Sequence, residues 1–263
     1  MIKICVAGAT GRMGSTLLKE ACGKSNFQIV GAVTSPDNEN LGKTLSSSGI
    51  CDSNVVLKSP EELKEALRDA DVYISFTTPE AEMENLPIVA DSGVKIVMGT
   101  TGFSDYQISR LKEYVSIRVP AVFAPNFAIG VNILFKLLLS LGALPEDYDF
   151  SIVEMHHTGK RDAPSGTAKK IADIISKLRN YQKIVHGRSG VSLREKGELE
   201  VSSIRAGGIP GIHNVIVAGK YEMINIEHVS FSRSVFAQGA LYAAEWIYGV
   251  SKPGIYSMED VLS

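Results

Sequence analysis

Short apolar runs alternate along the first half of the chain with stretches whose apolar positions recur at helical spacing. Residues 2–7 form a β-prone run, followed by a glycine-punctuated turn and then by Leu17, Leu18 and Ala21 on one helical face. Residues 27–33 predict a second strand and residues 55–57 a short third. Ser59-Pro60-Glu61-Glu62 predicts a helix start, in which Ser59 caps, Pro60 suits the first turn and Glu62 closes a capping box; the helix is expected to reach about residue 68. A strand over 72–76, a helix over 79–91 and a strand over 95–98 follow, the last with the weak alternation expected where both sheet faces are covered. Ser104 and Gln107 form a second capping box before a helix over 108–114, and residues 121–124 predict a last strand. This βαβ succession predicts an α/β fold with a Rossmann-type parallel sheet over residues 1–126.

After an apolar helix over 129–141 the rhythm changes. Residues 150–156, 201–206, 214–218 and 224–229 predict strands separated by glycine-rich or charged turns, with one clear helix at 168–178. This is an α+β domain with a mostly antiparallel sheet, expected to span 127–234. Residues 235–248 are helical in pattern again, so 235–263 are expected to return to the first domain.

Composition narrows the choice by exclusion. The length of 263 residues suits about two domains of ~100–200 residues each. Lys plus Arg at 27 against Asp plus Glu at 29 gives a net charge of -2, so there is no basic field to hold nucleic acid, and none is expected as a partner. An apolar content of 44% excludes a disordered chain. The most apolar stretch, 128–144, is interrupted by Asn132, Lys136 and Ser140 and is shorter than the ~20 residues of a bilayer span, so no membrane association is expected. The first apolar run is too short for a secretory signal. Cys5, Cys22 and Cys51 lie far apart, odd in number and without a CxxC pair; they are expected to be buried or idle thiols in a cytoplasmic protein.

Gly8-Ala9-Thr10-Gly11-Arg12-Met13-Gly14 stands where a strand becomes a helix. Missing side chains let backbone approach a pyrophosphate, and the N–H groups of the helix start hold the anion. The spacing is Gly-x-x-Gly-x-x-Gly rather than the commoner Gly-x-Gly-x-x-Gly, and a turn using glycine only for packing is the competing reading. The end of the second strand, where NAD-binding chains carry a carboxylate for the ribose, reads Val33-Thr34-Ser35. Its absence removes the repulsion toward a 2′-phosphate, with the two hydroxyls and Arg12 as candidate partners. NADPH is therefore the favoured cofactor, with NADH use the alternative. Gly99-Thr100-Thr101 and Ala124-Pro125-Asn126-Phe127 follow later strands, where the nicotinamide end is expected.

The stretch 154–167, Glu-Met-His-His-Thr-Gly-Lys-Arg-Asp-Ala-Pro-Ser-Gly-Thr, carries the candidate chemistry of the second domain. A strand ends at His156 and His157, a loop with Lys160 and Arg161 follows, and Ser165-Gly166-Thr167 opens a helix whose N–H groups suit a carboxylate. No Cys or His set stands at zinc-type spacing and Lys160 repels a cation, so no metal is expected. These features leave open a reductase of a small anion, a related amino-acid dehydrogenase, and an NADP(H)-binding sensor.

Taken together, GATGRMG (8–14), MGTTGF (98–103), APNF (124–127) with Gly130-Val131-Asn132, EMHHTGKRDAPSGTA (154–168), IRAGGIPGIH (204–213) and RSVFAQGA (233–240) resemble the 4-hydroxy-tetrahydrodipicolinate reductase (dihydrodipicolinate reductase) family over essentially the whole chain. The resemblance implies hydride transfer from NAD(P)H to C4 of a cyclic unsaturated imine dicarboxylate, giving tetrahydrodipicolinate in diaminopimelate and lysine biosynthesis. It implies His156 and Lys160 as the catalytic pair, and His157, Gly166 and Thr167 as substrate contacts. Gly8, Ala9, Thr10, Gly11, Arg12, Met13, Gly99, Thr100, Thr101, Ala124, Pro125, Asn126 and Phe127 match the family's cofactor site. Residues 1–126 and 235–263 then bind the dinucleotide, while 127–234 bind substrate and form a homotetramer. The family often has an acidic residue then Arg where Thr34-Ser35 stand, and Arg and His where Thr158 and Gly159 stand.

Overall fold

β1 (Ile2–Ala7) runs through the glycine turn into α1 (Arg12–Cys22) and returns as β2 (Phe27–Val33) in the computed structural model, which describes residues 1–263. The succession continues with β3 (Leu57–Lys58), α2 (Leu63–Ala66), β4 (Val72–Ser75), α3 (Pro79–Asp91), β5 (Lys95–Met98), α4 (Asp105–Ser116) and β6 (Pro120–Phe123). The middle of the chain forms α5 (Ile129–Ser140), β7 (Asp149–His156), α6 (Gly166–Arg179), β8 (Lys183–Val185), β9 (Glu198–Arg205), β10 (Ile212–Ala218) and β11 (Met223–Val229). It closes with α7 (Ser234–Tyr248), β12 (Gly254–Tyr256) and α8 (Met258–Val261). The chain divides into two units, 1–129 with 233–263, and 130–232.

The first unit holds a seven-stranded sheet in the order β12-β6-β5-β4-β1-β2-β3, parallel throughout. Alternation along each strand sorts side chains between two cores. Ile4 and Val6 of β1 join Leu17 and Leu18 of α1 and Ala240 and Leu241 of α7 on one face. Cys5 and Ala7 join Leu63 of α2, Leu86 and Val89 of α3 and Leu111 of α4 on the other. Covering both faces explains the near-continuous apolar runs of β4, β5 and β6. The order reverses at β1, which lies between β2 and β4, so the crevice at the carboxyl ends of β1 and β4 is a topological switch point.

The second unit holds a five-stranded mixed sheet in the order β11-β10-β7-β9-β8. The longer ladders, β10 with β11 and β10 with β7, are antiparallel, whereas β9 pairs in parallel with β7 and β8. Its core packs Phe150 and Ile152 of β7 against Ala168, Ile171 and Ile175 of α6. No helix is long and apolar enough to cross a membrane.

Three local departures from the sequence reading have physical causes. The segment after Ser59 starts as a 3-10 turn over Pro60–Glu62, and α2 ends at Ala66 because the chain turns at once, Leu67 accepting from the Ala70 N–H, to enter β4. β8, β12 and α8 are too short to show a period and owe their structure to neighbours. The expectation of three thiols is corrected: Cys22, at the end of α1, and Cys51 form a disulfide across a Cα separation of 6.5 Å, and only Cys5 is free. A sequence separation of 29 carries no local signal; the pair meets because Leu45 and Ile50 seat their loop in the same core as α1. Burial pushes the Cys5 thiol up to about 12, which makes it inert.

The second capping box forms as the sequence predicts, with the Gln107 N–H donating to the Ser104 hydroxyl at 3.3 Å and the Ser104 N–H donating to the Gln107 side chain at 2.9 Å. Since Ser104 is exposed, S104A removes a cap and little packing. It is expected to cost about 1 kcal/mol in urea-induced unfolding.

Candidate functional site

The glycine turn closes on itself. Gly8 has φ +73°, and a Cβ there would meet the Phe76 carbonyl oxygen at 2.3 Å; at Gly14 a Cβ would meet the Gly8 carbonyl oxygen at 2.1 Å. Both positions require glycine, the first for its left-handed backbone and the second so that α1 can pack against the turn. Gly11 stands at the N-cap of α1 without a side-chain cap, unlike Thr78, Ser104 and Ser165 at the starts of α3, α4 and α6. A helix start left without a side-chain cap, at the switch point, fits a phosphate-bearing ligand.

Beside it lies a cavity of about 300 Å3, bordered by Gly8, Thr10, Gly11, Thr34, Ser35 and Thr77 among others. The Thr10 and Thr34 hydroxyls hydrogen-bond at 2.6 Å, and the Asn38 amide donates to Thr10 Oγ1 at 3.0 Å. Thr34 is buried and turned inward, while Ser35 and Arg12 are exposed. Ala9 and Phe127 lie within the core, so what they present toward a ligand is backbone; Met13 is half-buried against the same core.

A second cavity, of about 280 Å3, opens at the carboxyl ends of β5 and β6 and is bordered by Thr100, Thr101, Gly102, Phe103, Ala124 and Pro125. A Cβ at Gly99 would strike the Phe76 ring at 2.2 Å. Thr100 donates to Glu82 Oε1 at 2.9 Å and accepts from the Thr77 N–H at 2.9 Å. Glu82 is fully buried, and burial raises its carboxyl pKa against the hydrogen bonds of Thr77 and Thr100. The Asn126 side chain accepts from the Ala128 N–H at 2.8 Å, which sets the turn after β6. Of the residues expected around a dinucleotide, the first cavity brings together Gly8, Thr10, Gly11, Thr34 and Ser35, and the second Thr100, Thr101, Ala124 and Pro125.

In the second unit, β7 changes character along its buried face. Phe150 and Ile152 are core residues, and the next two positions on that face are Glu154 and His156. Glu154 is 0% exposed, yet fully paired. Arg205 grips it with two nitrogens, at 2.9 Å to Oε2 and 2.7 Å to Oε1. The Ser165 N–H donates to Oε1 at 3.1 Å, and His156 Nδ1 lies 2.5 Å from Oε2. Burial opposes the Glu154 charge, but the hydrogen bonds, led by Arg205, hold its carboxyl down at about 2. Register explains the assembly: β9 places Arg205 opposite His156, and β10 places His213 opposite Glu154.

His213 stacks edge-on against His156 with ring centroids 5.2 Å apart, and its Nε2 lies 3.1 Å from the Ser165 hydroxyl. That hydroxyl also caps α6 by accepting from the Ala168 N–H. Gly166, exposed, and Thr167, partly exposed, open the helix. His157 is half-buried just past the end of β7, and Lys160 pairs with Asp162 at 2.8 Å. Arg161 is exposed at the surface of the same loop. Glu154, Arg205 and His213 lie within the sequence motifs, but no local signal marks them for a role. Glu154 and His156 share a strand face, which the period of two could have shown; Arg205 and His213 arrive through pairings that no local pattern encodes.

The fold and these features define a Rossmann-type dinucleotide-binding protein with an appended α+β unit. Residues 2–127 match the family model described as dihydrodipicolinate reductase, N-terminus, and residues 130–262 match that described as dihydrodipicolinate reductase, C-terminus. The chain therefore belongs to the dihydrodipicolinate reductase family. It is 42% identical to a 4-hydroxy-tetrahydrodipicolinate reductase of Methanopyrus kandleri, covering 100% of this chain and 97% of that one. It is 40% identical to the enzyme of that name from Methanosarcina mazei, covering 100% and 99%. Among solved structures it resembles a dipicolinate-bound dihydrodipicolinate reductase from Paenisporosarcina sp. TG-14, with a TM-score of 0.78, 26% identity and coverage of 98% and 97%. An amine dehydrogenase from Mycobacterium smegmatis, at 15% identity, TM-score 0.67 and coverage of 99% and 95%, shares the fold. Family and Rossmann unit together imply a nicotinamide cofactor.

Burial, followed by the nearby His156, pushes the His213 pKa down to about 4. A histidine whose folded pKa lies below its unfolded value of ~6.5 stabilises the fold above that value and loses its contribution as pH falls through the folded pKa. Stability in urea titrations is therefore expected to decline from pH 6.5 toward 4. H213Q should flatten that slope by up to about 1.4 kcal/mol per pH unit, whatever its effect on absolute stability.

Proposed function

We propose that the protein reduces 4-hydroxy-tetrahydrodipicolinate to tetrahydrodipicolinate, with loss of water, in diaminopimelate and lysine biosynthesis. The observation that carries this reading is the end of β7, where a buried His156, hydrogen-bonded to Glu154, adjoins the capped start of α6 in a chain matching the reductase family through both halves. Residues 1–126 with 235–263 bind the dinucleotide, and 127–234 bind substrate. Gly8 to Met13 would hold the pyrophosphate, and Gly99 to Thr101 with Ala124 to Phe127 the nicotinamide end. The bound cofactor supplies a hydride to C4 of the substrate.

Hydride addition to a conjugated C=C–C=N system leaves negative charge on the adjacent carbon and nitrogen, which a cation stabilises and a donor quenches. His156 delivers the proton. Lys160 stabilises the charge and orients the substrate; an ammonium has three donors, so the pairing with Asp162 leaves donors for a substrate. The N–H groups of Gly166 and Thr167, with His157, receive a substrate carboxylate, the positive end of α6 favouring the anion. The sheet of the second unit is the assembly surface of a homotetramer, a reading supported by exposed Met223, Ile224 and Val229 along β11 and Phe231 just past it.

The test is to follow NADPH oxidation with the freshly made product of dihydrodipicolinate synthase as substrate. Oxidation is expected with the wild type, whereas H156A and K160A should each lower turnover on the order of 100-fold or more while NADPH affinity stays near wild type. Absence of oxidation by the wild type overturns the reading.

We further propose that NADPH is preferred over NADH. Support comes from the lack of a carboxylate at the end of β2 and from the exposure of Ser35 just past it and of Arg12 at the start of α1. The inward pairing of Thr34 with Thr10 leaves Ser35 and Arg12 as the partners of a 2′-phosphate. Steady-state kinetics should give a higher kcat/KM with NADPH, and a clear preference for NADH overturns this assignment.

A further inference from the structure

We propose that Glu154 is a positioning residue of the reaction: it locks the neutral His156 imidazole in the Nδ1–H tautomer, so that Nε2 is the atom that exchanges protons with substrate. The inference rests on the reading of His156 as the proton donor and adds the group that makes it one. It stands on geometry within the second unit. Glu154 Oε2 is 2.5 Å from His156 Nδ1, and Arg205 engages both carboxylate oxygens. A carboxylate gripped by a guanidinium is ionised and only accepts hydrogen bonds, so the proton between it and His156 belongs to Nδ1. Titration of the ring is thereby confined to Nε2.

Two further observations give this arrangement its purpose. The other carboxylate oxygen, Oε1, accepts the N–H of Ser165, the N-cap of α6. One buried carboxylate therefore fixes both the ring that exchanges the proton and the helix start that receives the substrate carboxylate. Space at Nε2 is kept by glycine: a Cβ at Gly211 would sit 3.1 Å from that nitrogen. The charged and titratable groups around the ring are Glu154 on its own strand, Arg205 on β9, His213 on β10 and Lys160 in the loop after β7. Burial, Lys160 and Arg205 disfavour the imidazolium; Glu154 favours it. Replacing the anion by a neutral group removes the influence that keeps a protonated donor available near neutral pH.

The test combines spectroscopy with kinetics on the full-length protein. Long-range 1H–15N spectra of histidine-labelled protein, with His156 assigned by its loss in H156A, should show the Nδ1–H tautomer in the wild type and a shift away from it in E154Q. E154Q should lower kcat on the order of 100-fold or more, with the KM for the dicarboxylate substrate and the Kd for NADPH within about threefold. Its His156 midpoint should fall, moving the alkaline limb of the kcat profile to lower pH. E154D, which keeps the anion, should retain the tautomer and recover part of kcat; this arm decides if circular dichroism shows that E154Q does not fold. An Nε2–H tautomer in the wild type overturns the proposal, as does an E154Q enzyme of wild-type kcat beside a crippled H156A. Wild-type kcat in both H156A and E154Q instead overturns the catalytic reading of His156, and the proposal with it.

Discussion

A carboxylate with no exposure to solvent must be neutralised or surrounded by donors, and Glu154 is surrounded by three elements at once: β7, which carries it with His156, β9, which carries Arg205, and the start of α6 at Ser165. The cost of removing one member of such a set is that of an orphaned buried charge, several kcal/mol, well above that of a surface ion pair. This constraint ties the register of the mixed sheet to the position of α6. A one-residue slip of β9 would carry Arg205 to the opposite face and leave the Glu154 carboxylate without its guanidinium. The side chains proposed for the chemistry are therefore also among those that specify the sheet.

The first unit solves a different problem by subtraction. Its site is made of missing atoms, at Gly8, Gly14 and Gly99, and of a helix start without a side-chain cap. Such a site has little charge of its own and relies on backbone N–H groups and the dipole of α1. The second unit concentrates charged side chains instead. A net charge of -2 over the chain is compatible with both, because one unit presents partial charges and the other balances its cations against Glu154 and Asp162.

Much of this was legible in the sequence. The alternation of apolar runs and helical faces located every strand of the parallel sheet except β12, and the capping box at Ser104 marked the start of α4, whose apolar pattern over 108–114 fell short of its full span. β8, β12 and α8 were not legible, since three or four residues cannot display a period and their order depends on pairing with distant strands. The glycine turn stood out because it falls where a strand becomes a helix, and His156 and Lys160 because they cluster just before a helix start. Arg205 and His213 did not, because a residue's cross-strand partner is a property of topology. Thr34 shows the same limit on a smaller scale: the sequence offered its hydroxyl outward, and Thr10, one turn away in space, took it.

The disulfide between Cys22 and Cys51 reaches beyond its own two residues. Between β2 and β3 the chain runs from residue 34 to residue 56 without a helix or a strand, longer than the connections compact domains ordinarily tolerate. Its order depends on Leu45 and Ile50 as anchors and on the sulfur bridge as a tether to α1. Loop-closure reasoning gives a cross-link spanning 29 residues about 3.6 kcal/mol, acting on the unfolded chain. That is comparable with seating a buried leucine, and the loop it closes includes Thr34 and Ser35. The wall of the cavity beside the glycine turn thus owes part of its stability to a restriction on how far the unfolded chain can wander.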